Sequence, residues 1–406
     1  MLNEFRGPHR RLRRMSDQRR SHRVAATDPR ESMTDPRANL IRQQLANLGR
    51  RHAAEENAKA ATPRATRVLI IGNFGNGNTG DEAMLARTLQ ELPEDTEVRV
   101  VSRNPRMVEA LHRVPAVAME GIPFVRSLKW CDGIAVVGGG LFGTGSSSLV
   151  KALPAIVWAA TARGRDITYL AIGVYPGTPD RVLDLLRRSV RKPGRISVRD
   201  EVSAAVLGDR IVAPVVGDLA MGLKPAPPAD ARRALAAAGV DPAVPLLLVA
   251  PKALPNPILV DALQDAAEIL GRRWIERGGA VAGLAISTHA DYGLGLARRD
   301  EVLITELGER LGRKVPVLGP QLEPTLAKAV VGEADALFGL RIHSLIFAVS
   351  MGVPCLGVGW EERTTAFLAE HEQSAISTRP PVEDLHAWVD QTLPARWSAR
   401  PRLLSS

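Results

Sequence analysis

The sequence has little cysteine, few aromatic residues and no long hydrophobic run. Its two cysteines, Cys131 and Cys355, are too few for a disulfide framework and are typical of the reducing cytosol. No stretch approaches the ~18 uninterrupted apolar residues that a transmembrane helix needs. Hydrophobic residues nevertheless make up 45% of the 406 residues, which is ordinary for a globular protein and excludes global disorder. We therefore expect a cytoplasmic protein, and its length favours two domains.

Positive charge is concentrated at the start of the chain. The net charge is +9, and residues 1–65 alone hold 15 Lys+Arg and 7 Asp+Glu, a net charge of +8. This segment is expected to be a mostly disordered basic tail: residues 1–38 are poor in bulky apolar residues, and 39–60 have the composition of one surface helix. Three explanations of this segment stay open. It is a solvated extension, or the true initiator is Met15 or Met33 and the residues before it come from an upstream start codon. Alternatively, the segment binds the inner face of an anionic membrane peripherally. Nucleic acid is not an expected partner, because the arginines lack interleaved aromatic residues.

From residue 66 onward, short apolar runs alternate with helix-forming stretches, the pattern of a parallel sheet covered on both faces. The Pro- and Gly-bearing segment 217–229 predicts a linker between two such series. We expect an α/β fold with two doubly wound Rossmann-like domains, 66–216 and 230–380, facing a cleft, followed by a C-terminal helix and tail, 381–406. The apolar runs lie at 67–71, 97–101, 134–137, 167–172, 196–198, 211–216, 246–250, 280–286, 315–318, 335–338, 355–358 and 375–377.

The loop after the first run contains a formal dinucleotide-binding pattern, Gly75-x-Gly77-x-x-Gly80. Asp81 argues against that function, because its carboxylate would repel a pyrophosphate at the helix start. An NADP site that uses Arg103 stays open, as does a plain turn in which Asp81 or Thr79 caps the helix.

Two loops are predicted to face a ligand. The amides of Asn73, Asn76 and Asn78 suggest hydrogen bonds to a polyhydroxylated molecule. The run Gly138, Gly139 and Gly140 allows close approach of the backbone to a ligand, although a structural turn explains it equally well.

Arg199 and Asp200 follow a predicted strand and begin a helix. Asp200 is expected to be the N-cap. If the fold prediction holds, Arg199 lies at the carboxyl end of the strand, where it can clamp a carboxylate or phosphate. A surface arginine that pairs with a neighbouring acid is the alternative.

The segment LFGLRIHSLIFAVSMGVP is the most informative. Arg341 and His343 are predicted to project on one side of an extended turn, and Ser344 to cap the helix that follows. A guanidinium, an imidazole and a helix N-terminus would then converge on an anionic substrate that needs a proton.

In four ordered segments, the chain resembles the polysaccharide pyruvyl transferases. They are GNFGNGNTGDEAML, VVGGGLF, SVRDEVSAAVLG with Gly217-Asp218, and GLRIHSLIFAVSMGVPCLGV. The resemblance implies a GT-B-like pair of domains, phosphoenolpyruvate as donor, and transfer of pyruvate as a ketal to a sugar or glycolipid in polysaccharide biosynthesis for the cell envelope. The chain departs from many relatives at Arg363, where they carry lysine.

The residues discussed above, taken together with this resemblance, predict which side chains bind the donor and which bind the acceptor. Arg199 of the N-terminal domain and Arg341, His343 and Ser344 of the C-terminal, donor-side domain would bind the donor, with His343 as general acid and the two arginines as catalytic partners that neutralise the leaving phosphate. The predicted acceptor residues, mainly in the N-terminal domain, are Asn73, Asn76, Asn78, Asp81, Gly138, Gly139, Gly140 and His289. No cofactor or metal is expected, because His289 and Asp291 are too isolated for a metal motif. A nucleotide-sugar glycosyltransferase, an NADP-dependent oxidoreductase and a polyanion-binding protein are the alternatives.

Overall fold

A computed structural model describes residues 35–59, 64–142, 148–162, 164–190, 194–288, 299–319, 322–359 and 361–397. The first described segment contains two helices, α1 (Pro36–Ala46) and α2 (Arg50–Asn57). Leu45 and Leu48 in this segment are buried in the core of the first domain. The expectation of one surface helix over 39–60 is therefore wrong, because these leucines give the segment an apolar face to bury. Residues 1–34 lie outside the described part of the chain.

The first domain is a six-stranded parallel sheet in which each strand is followed by a helix. The strand order is β3-β2-β1-β4-β5-β6, so the order reverses between β1 and β4, where such folds bind ligands. The strands are β1 (Thr66–Ile71), β2 (Thr96–Ser102), β3 (Ala116–Ala118), β4 (Gly133–Val137), β5 (Asp166–Ile172) and β6 (Ile196–Val198). The helices are α3 (Thr79–Glu91), α4 (Pro105–His112), α5 (Gly121–Trp130), α6 (Ser148–Ala162), α7 (Asp180–Ser189) and α8 (Glu201–Leu207).

The second domain repeats this topology, with strand order β12-β11-β10-β7-β8-β9. Its strands are β7 (Leu246–Ala250), β8 (Ala280–Leu284), β9 (Val317–Leu318), β10 (Ala336–Gly339), β11 (Cys355–Val358) and β12 (Ser374–Ile376). Its helices are α9 (Pro228–Ala237), α10 (Pro257–Glu276), α11 (Asp300–Leu311), α12 (Pro324–Gly332), α13 (Ile342–Ser350), α14 (Glu362–Glu370) and α15 (Val382–Trp397). The predicted α/β fold with two Rossmann-like domains in a GT-B-like arrangement is confirmed. None of the described helices is long and apolar enough to cross a membrane.

The segment between the two sheets, predicted as a linker over 217–229, is partly buried, at Asp218–Ala220 and Leu223. The predicted run 211–216 forms only a single parallel bridge, between Val198 and Val215, instead of a strand. A 3-10 helix, Leu219–Gly222, follows. The ammonium group of Lys328 on α12 donates to the carbonyl oxygens of Ala220 and Met221 at 3.2 and 2.6 Å. These bonds fix the start of the second domain against the end of the first.

The two domains meet at the carboxyl edges of their sheets. Beyond β1, the N–H of Thr79 donates to the carbonyl of Ile286, and the N–H of Thr288 donates to the carbonyl of Gly77, at 2.9 and 2.8 Å. Ile286 and Thr288 follow β8. The loop 72–78 between β1 and α3, which contains Asn73, Asn76 and Asn78, is called the Asn-rich loop below. A short two-stranded bridge therefore links this loop to the second domain and closes one side of the cleft.

Candidate active site

Asn73 and Asn78 of the Asn-rich loop hydrogen-bond to residues of the helix that follows it. The side chain of Asn78 accepts a hydrogen bond from the N–H of Gly80 at 3.0 Å and caps α3, so the prediction that Asp81 or Thr79 caps this helix is wrong. Asn73 Nδ2 donates to Asp81 Oδ2 at 2.8 Å. Two of the three amides predicted to bind a ligand thus make internal bonds, and Asn76 is half-buried without a hydrogen bond to the described residues.

Asp81 is buried in the first turn of α3, on the side of the cleft that faces α13. Burial raises its pKa to about 6, although His343 and the bond from Asn73 act in the opposite direction. A carboxyl group with such a pKa can exchange a proton near neutral pH. The acceptor-side prediction for Asp81 is compatible with this position.

The glycine run after β4 is explained by close packing. Gly138 and Gly139 have φ of +53° and +70°, which a side chain would strain. A Cβ at position 138 would overlap Met84, and one at position 140 would overlap the hydroxyl of Tyr175. The run therefore brings the backbone against both α3 and Tyr175, and its role towards an acceptor stays a prediction.

Arg199 lies in the cleft immediately after β6, and its side chain is buried. The predicted N-cap is confirmed, because Asp200 Oδ1 accepts from the N–H of Ser203 at 2.8 Å. The guanidinium donates through Nε to Asp200 Oδ2 at 3.2 Å and through Nη2 to the hydroxyl of Tyr175 at 3.3 Å. Arg199 is thus held rigidly at the carboxyl end of its strand, where an anion clamp requires it.

Arg341 occupies a different environment from the one expected. It is the N-cap residue of α13, and its Nη2 and Nε donate to the buried carboxylate of Asp300 at 2.6 and 3.0 Å. Asp300 also accepts the N–H groups of Ile286 and Ser287 at 3.1 and 3.0 Å. Arg341 therefore stabilises the segment that bridges the domains, and a carboxylate already compensates its charge. The geometry favours an indirect role over the predicted donor clamp.

Ser344 does not cap α13. It lies inside the first turn of the helix, and its hydroxyl donates to the carbonyl oxygen of Arg341 at 2.6 Å. A donor in that position satisfies a carbonyl, whereas a cap must accept from a free N–H. The predicted contact of Ser344 with the donor therefore has no direct support from this geometry.

His343 is wedged between the two domains at the start of α13. Its side chain is 90% buried, and a Cβ on Gly80 would overlap the imidazole ring. Glycine at position 80 is thus what allows α3 to approach the ring. The prediction that His343 faces the cleft agrees with this contact between α13 and α3.

Asp218 lies at the centre of a cationic cluster. Its Oδ2 is 3.7 Å from His343 Nε2, 3.8 Å from Arg199 Nη1 and 3.7 Å from Arg363 Nη2. These separations are too long for hydrogen bonds, and both Oδ2 and His343 Nε2 are buried without a hydrogen-bond partner. Burial would raise the pKa of Asp218, but His343, Arg199 and Arg363 outweigh burial and hold the pKa below its usual range.

Tyr175 completes the cluster, and its role was not predicted from the sequence. Its hydroxyl accepts from Arg199 Nη2 and from Arg363 Nη1, both at 3.3 Å. Burial raises the pKa of this phenol, but the two guanidinium groups more than offset burial and lower it. Its position just beyond β5 was the available signal, since ligands bind at that edge of the sheet.

Arg363 enters the site from the first turn of α14. The sequence marked it only as a departure from the lysine of many relatives. Next to Arg199 it provides a second guanidinium, and the two can hold a carboxylate and a phosphate by bidentate contacts that a lysine cannot make.

His289, the remaining predicted acceptor residue, lies outside the described residues, as does Asp291. Among the residues that the structure does describe, no group of three or more His, Cys, Asp or Glu side chains is arranged to hold a metal ion.

Two solved structures with a similar fold are UDP-GlcNAc 2-epimerases. The enzyme from Neisseria meningitidis, bound to UDP-GlcNAc, is 10% identical with a TM-score of 0.52, covering 82% of this chain and 92% of that one. The enzyme from Methanocaldococcus jannaschii is 11% identical with a TM-score of 0.52, covering 81% and 92%. At such identities the likeness extends to the fold alone.

No curated protein sequence matches the chain. A family model does: the model described as polysaccharide pyruvyl transferase matches residues 78–362. This range contains Arg199, Asp218, Arg341 and His343 and covers most of both domains. The chain therefore belongs to the polysaccharide pyruvyl transferase family.

Proposed function

We propose that the protein transfers the pyruvyl group of phosphoenolpyruvate to two hydroxyl groups of a sugar, forming a ketal and releasing phosphate. The observation that carries this proposal is the convergence of Arg199, Arg363 and His343 around the buried carboxylate oxygen Oδ2 of Asp218 in the cleft. Phosphoenolpyruvate offers a carboxylate and a phosphate to guanidinium groups. Its methylene carbon must also receive a proton, which an imidazolium can supply.

Three helix N-termini support the same function. Arg199 precedes the cap of α8, while His343 and Arg363 lie in the first turns of α13 and α14. Each helix start carries partial positive charge from its free N–H groups, which favours an anion. Arginine side chains and helix dipoles together would neutralise the phosphate as it leaves.

The reaction then proceeds in two additions. His343 protonates the methylene carbon, and a sugar hydroxyl attacks the adjacent carbon and loses its proton. Phosphate departs with the electrons of its C–O bond, and the second hydroxyl attacks the same carbon, gives its proton to the released phosphate and closes the ketal. Asp81, close to His343 and with a pKa of about 6, is positioned to accept a hydroxyl proton.

Donor binding tests this proposal without knowledge of the acceptor. Phosphoenolpyruvate at about 100 times its dissociation constant should raise the free energy of unfolding by about 2.7 kcal/mol, measured by denaturation with and without the ligand. UDP- and ADP-sugars at equal concentration should give no stabilisation. Stabilisation by a nucleotide sugar alone would favour a glycosyltransferase and contradict the proposal.

A matched pair of variants controls for non-specific anion binding. Arg199→Lys should reduce the stabilisation by phosphoenolpyruvate, because a point charge cannot replace bidentate contacts. Arg51→Lys should leave it unchanged, since Arg51 is an exposed residue of α2 that pairs with Glu55.

A further inference from the structure

The two carboxylate oxygens of Asp218 have different surroundings: Oδ2 faces the site, and Oδ1 is bound to the backbone. Oδ1 accepts from the N–H of Ala220 at 3.0 Å and caps the 3-10 helix Leu219–Gly222. Lys328 binds carbonyl oxygens of the same helix. Because the helix is fixed by both contacts, the direction of Oδ2 is fixed as well.

The position of Oδ2 is unusual for a donor-binding site. A carboxylate beside Arg199 and Arg363 repels an incoming anion and therefore opposes the binding of phosphoenolpyruvate. It does not hydrogen-bond to either arginine, whose Nη atoms lie 3.7 Å or more away. Asp218 therefore contributes something other than donor affinity.

The contact with His343 indicates what that contribution is. Asp218 Oδ2 and His343 Nε2 face each other at 3.7 Å, and both are buried without a hydrogen-bond partner. Asp81 on α3 also interacts with the ring, and Arg199 after β6 and Arg363 on α14 lie within 3.8 Å of the same Oδ2. Without Asp218, the two guanidinium groups would disfavour a positive charge on the imidazole.

We propose that Asp218 is a positioning residue that keeps His343 in its protonated form and holds Nε2 beside the two arginines. The inference rests on the proposed function, in which the imidazolium delivers a proton to the donor. Asp218 thus lowers donor affinity but makes the proton available, so donor affinity and turnover should respond in opposite directions when its charge is removed.

Asp218→Asn is the appropriate variant, since an amide keeps the oxygen that caps the 3-10 helix. With histidine labelled by ¹³C in the full-length chain, the imidazole signal of His343 can be followed through a pH titration and assigned with His343→Gln. We expect the midpoint in Asp218→Asn to fall by about one to three pH units. Glu55→Gln, which removes an exposed carboxylate of α2 that pairs with Arg51 outside the site, should leave the midpoint unchanged.

Calorimetric titration with phosphoenolpyruvate provides the second measurement. Affinity for phosphoenolpyruvate in Asp218→Asn should exceed that of the wild type. An unchanged titration of His343 in Asp218→Asn, or a loss of donor affinity in that variant, would overturn the inference. If the wild type itself fails to bind phosphoenolpyruvate, the proposed function fails, whereas the histidine titration still reports on the coupling between Asp218 and His343.

Discussion

His343→Ala is expected to lower the rate of phosphate release from phosphoenolpyruvate and a sugar acceptor by about 10²- to 10⁴-fold, the usual contribution of a general acid. The imidazole lies in the cleft beside Asp218 and the backbone of Gly80, and the variant supplies no other group at that point. The measurement is phosphate release with an acceptor selected from a panel of glycosides.

The comparison needs a folded variant and a matched histidine. Circular dichroism should be unchanged, because truncation at the edge of the cleft leaves the two sheets intact. His386→Ala, on α15 and outside the site, should retain wild-type turnover. Phosphate release by His343→Ala at a rate close to that of the wild type would remove His343 from its assigned role.

Breaking the ion pair between Arg341 and Asp300 is expected to lower the free energy of unfolding by about 3–5 kcal/mol, the usual effect of removing one partner of a buried ion pair. Arg341→Gln removes the guanidinium that donates to the buried carboxylate of Asp300. Asp300→Asn keeps an oxygen for the N–H groups of Ile286 and Ser287 but removes the negative charge beside the guanidinium. Chemical denaturation of both variants gives the two values.

The double variant Arg341→Gln with Asp300→Asn separates an architectural role from donor binding. If the pair acts mainly on the interdomain bridge, the double variant should lose less unfolding free energy than the sum of the losses in the two single variants. The reason is that both charges of the pair are then absent. A variant Arg341→Gln with wild-type stability but no affinity for phosphoenolpyruvate would show instead that Arg341 binds the donor.

The fold was predictable because its signal is local. Runs such as 134–137 and 246–250 are continuously apolar, as strands buried on both faces must be. The strand β3, Ala116–Ala118, was missed because three small, half-buried residues give no such signal. The run 211–216 is apolar but only bridges β6, since β6 itself has three residues.

The site was only partly predictable, because its contacts join distant parts of the chain. Arg199 and His343 could be identified from their positions beyond predicted strands, and Gly217-Asp218 was visible as a motif without a role. The partnership of Arg341 with Asp300 spans 41 residues, and that of Tyr175 with Arg363 spans 188. No local pattern encodes such pairs, so the sequence predicted a clamp role for Arg341 and gave no role to Arg363.

Mass spectrometry of the product formed in heavy water tests pyruvyl transfer itself. A panel of glycosides is incubated with the protein and phosphoenolpyruvate in D₂O. We expect an acceptor heavier by pyruvic acid minus one water, with one deuterium in the new methyl group, and phosphate released in equal amount. A product that gains a sugar residue from a nucleotide sugar, with no pyruvyl adduct on any acceptor, would contradict it.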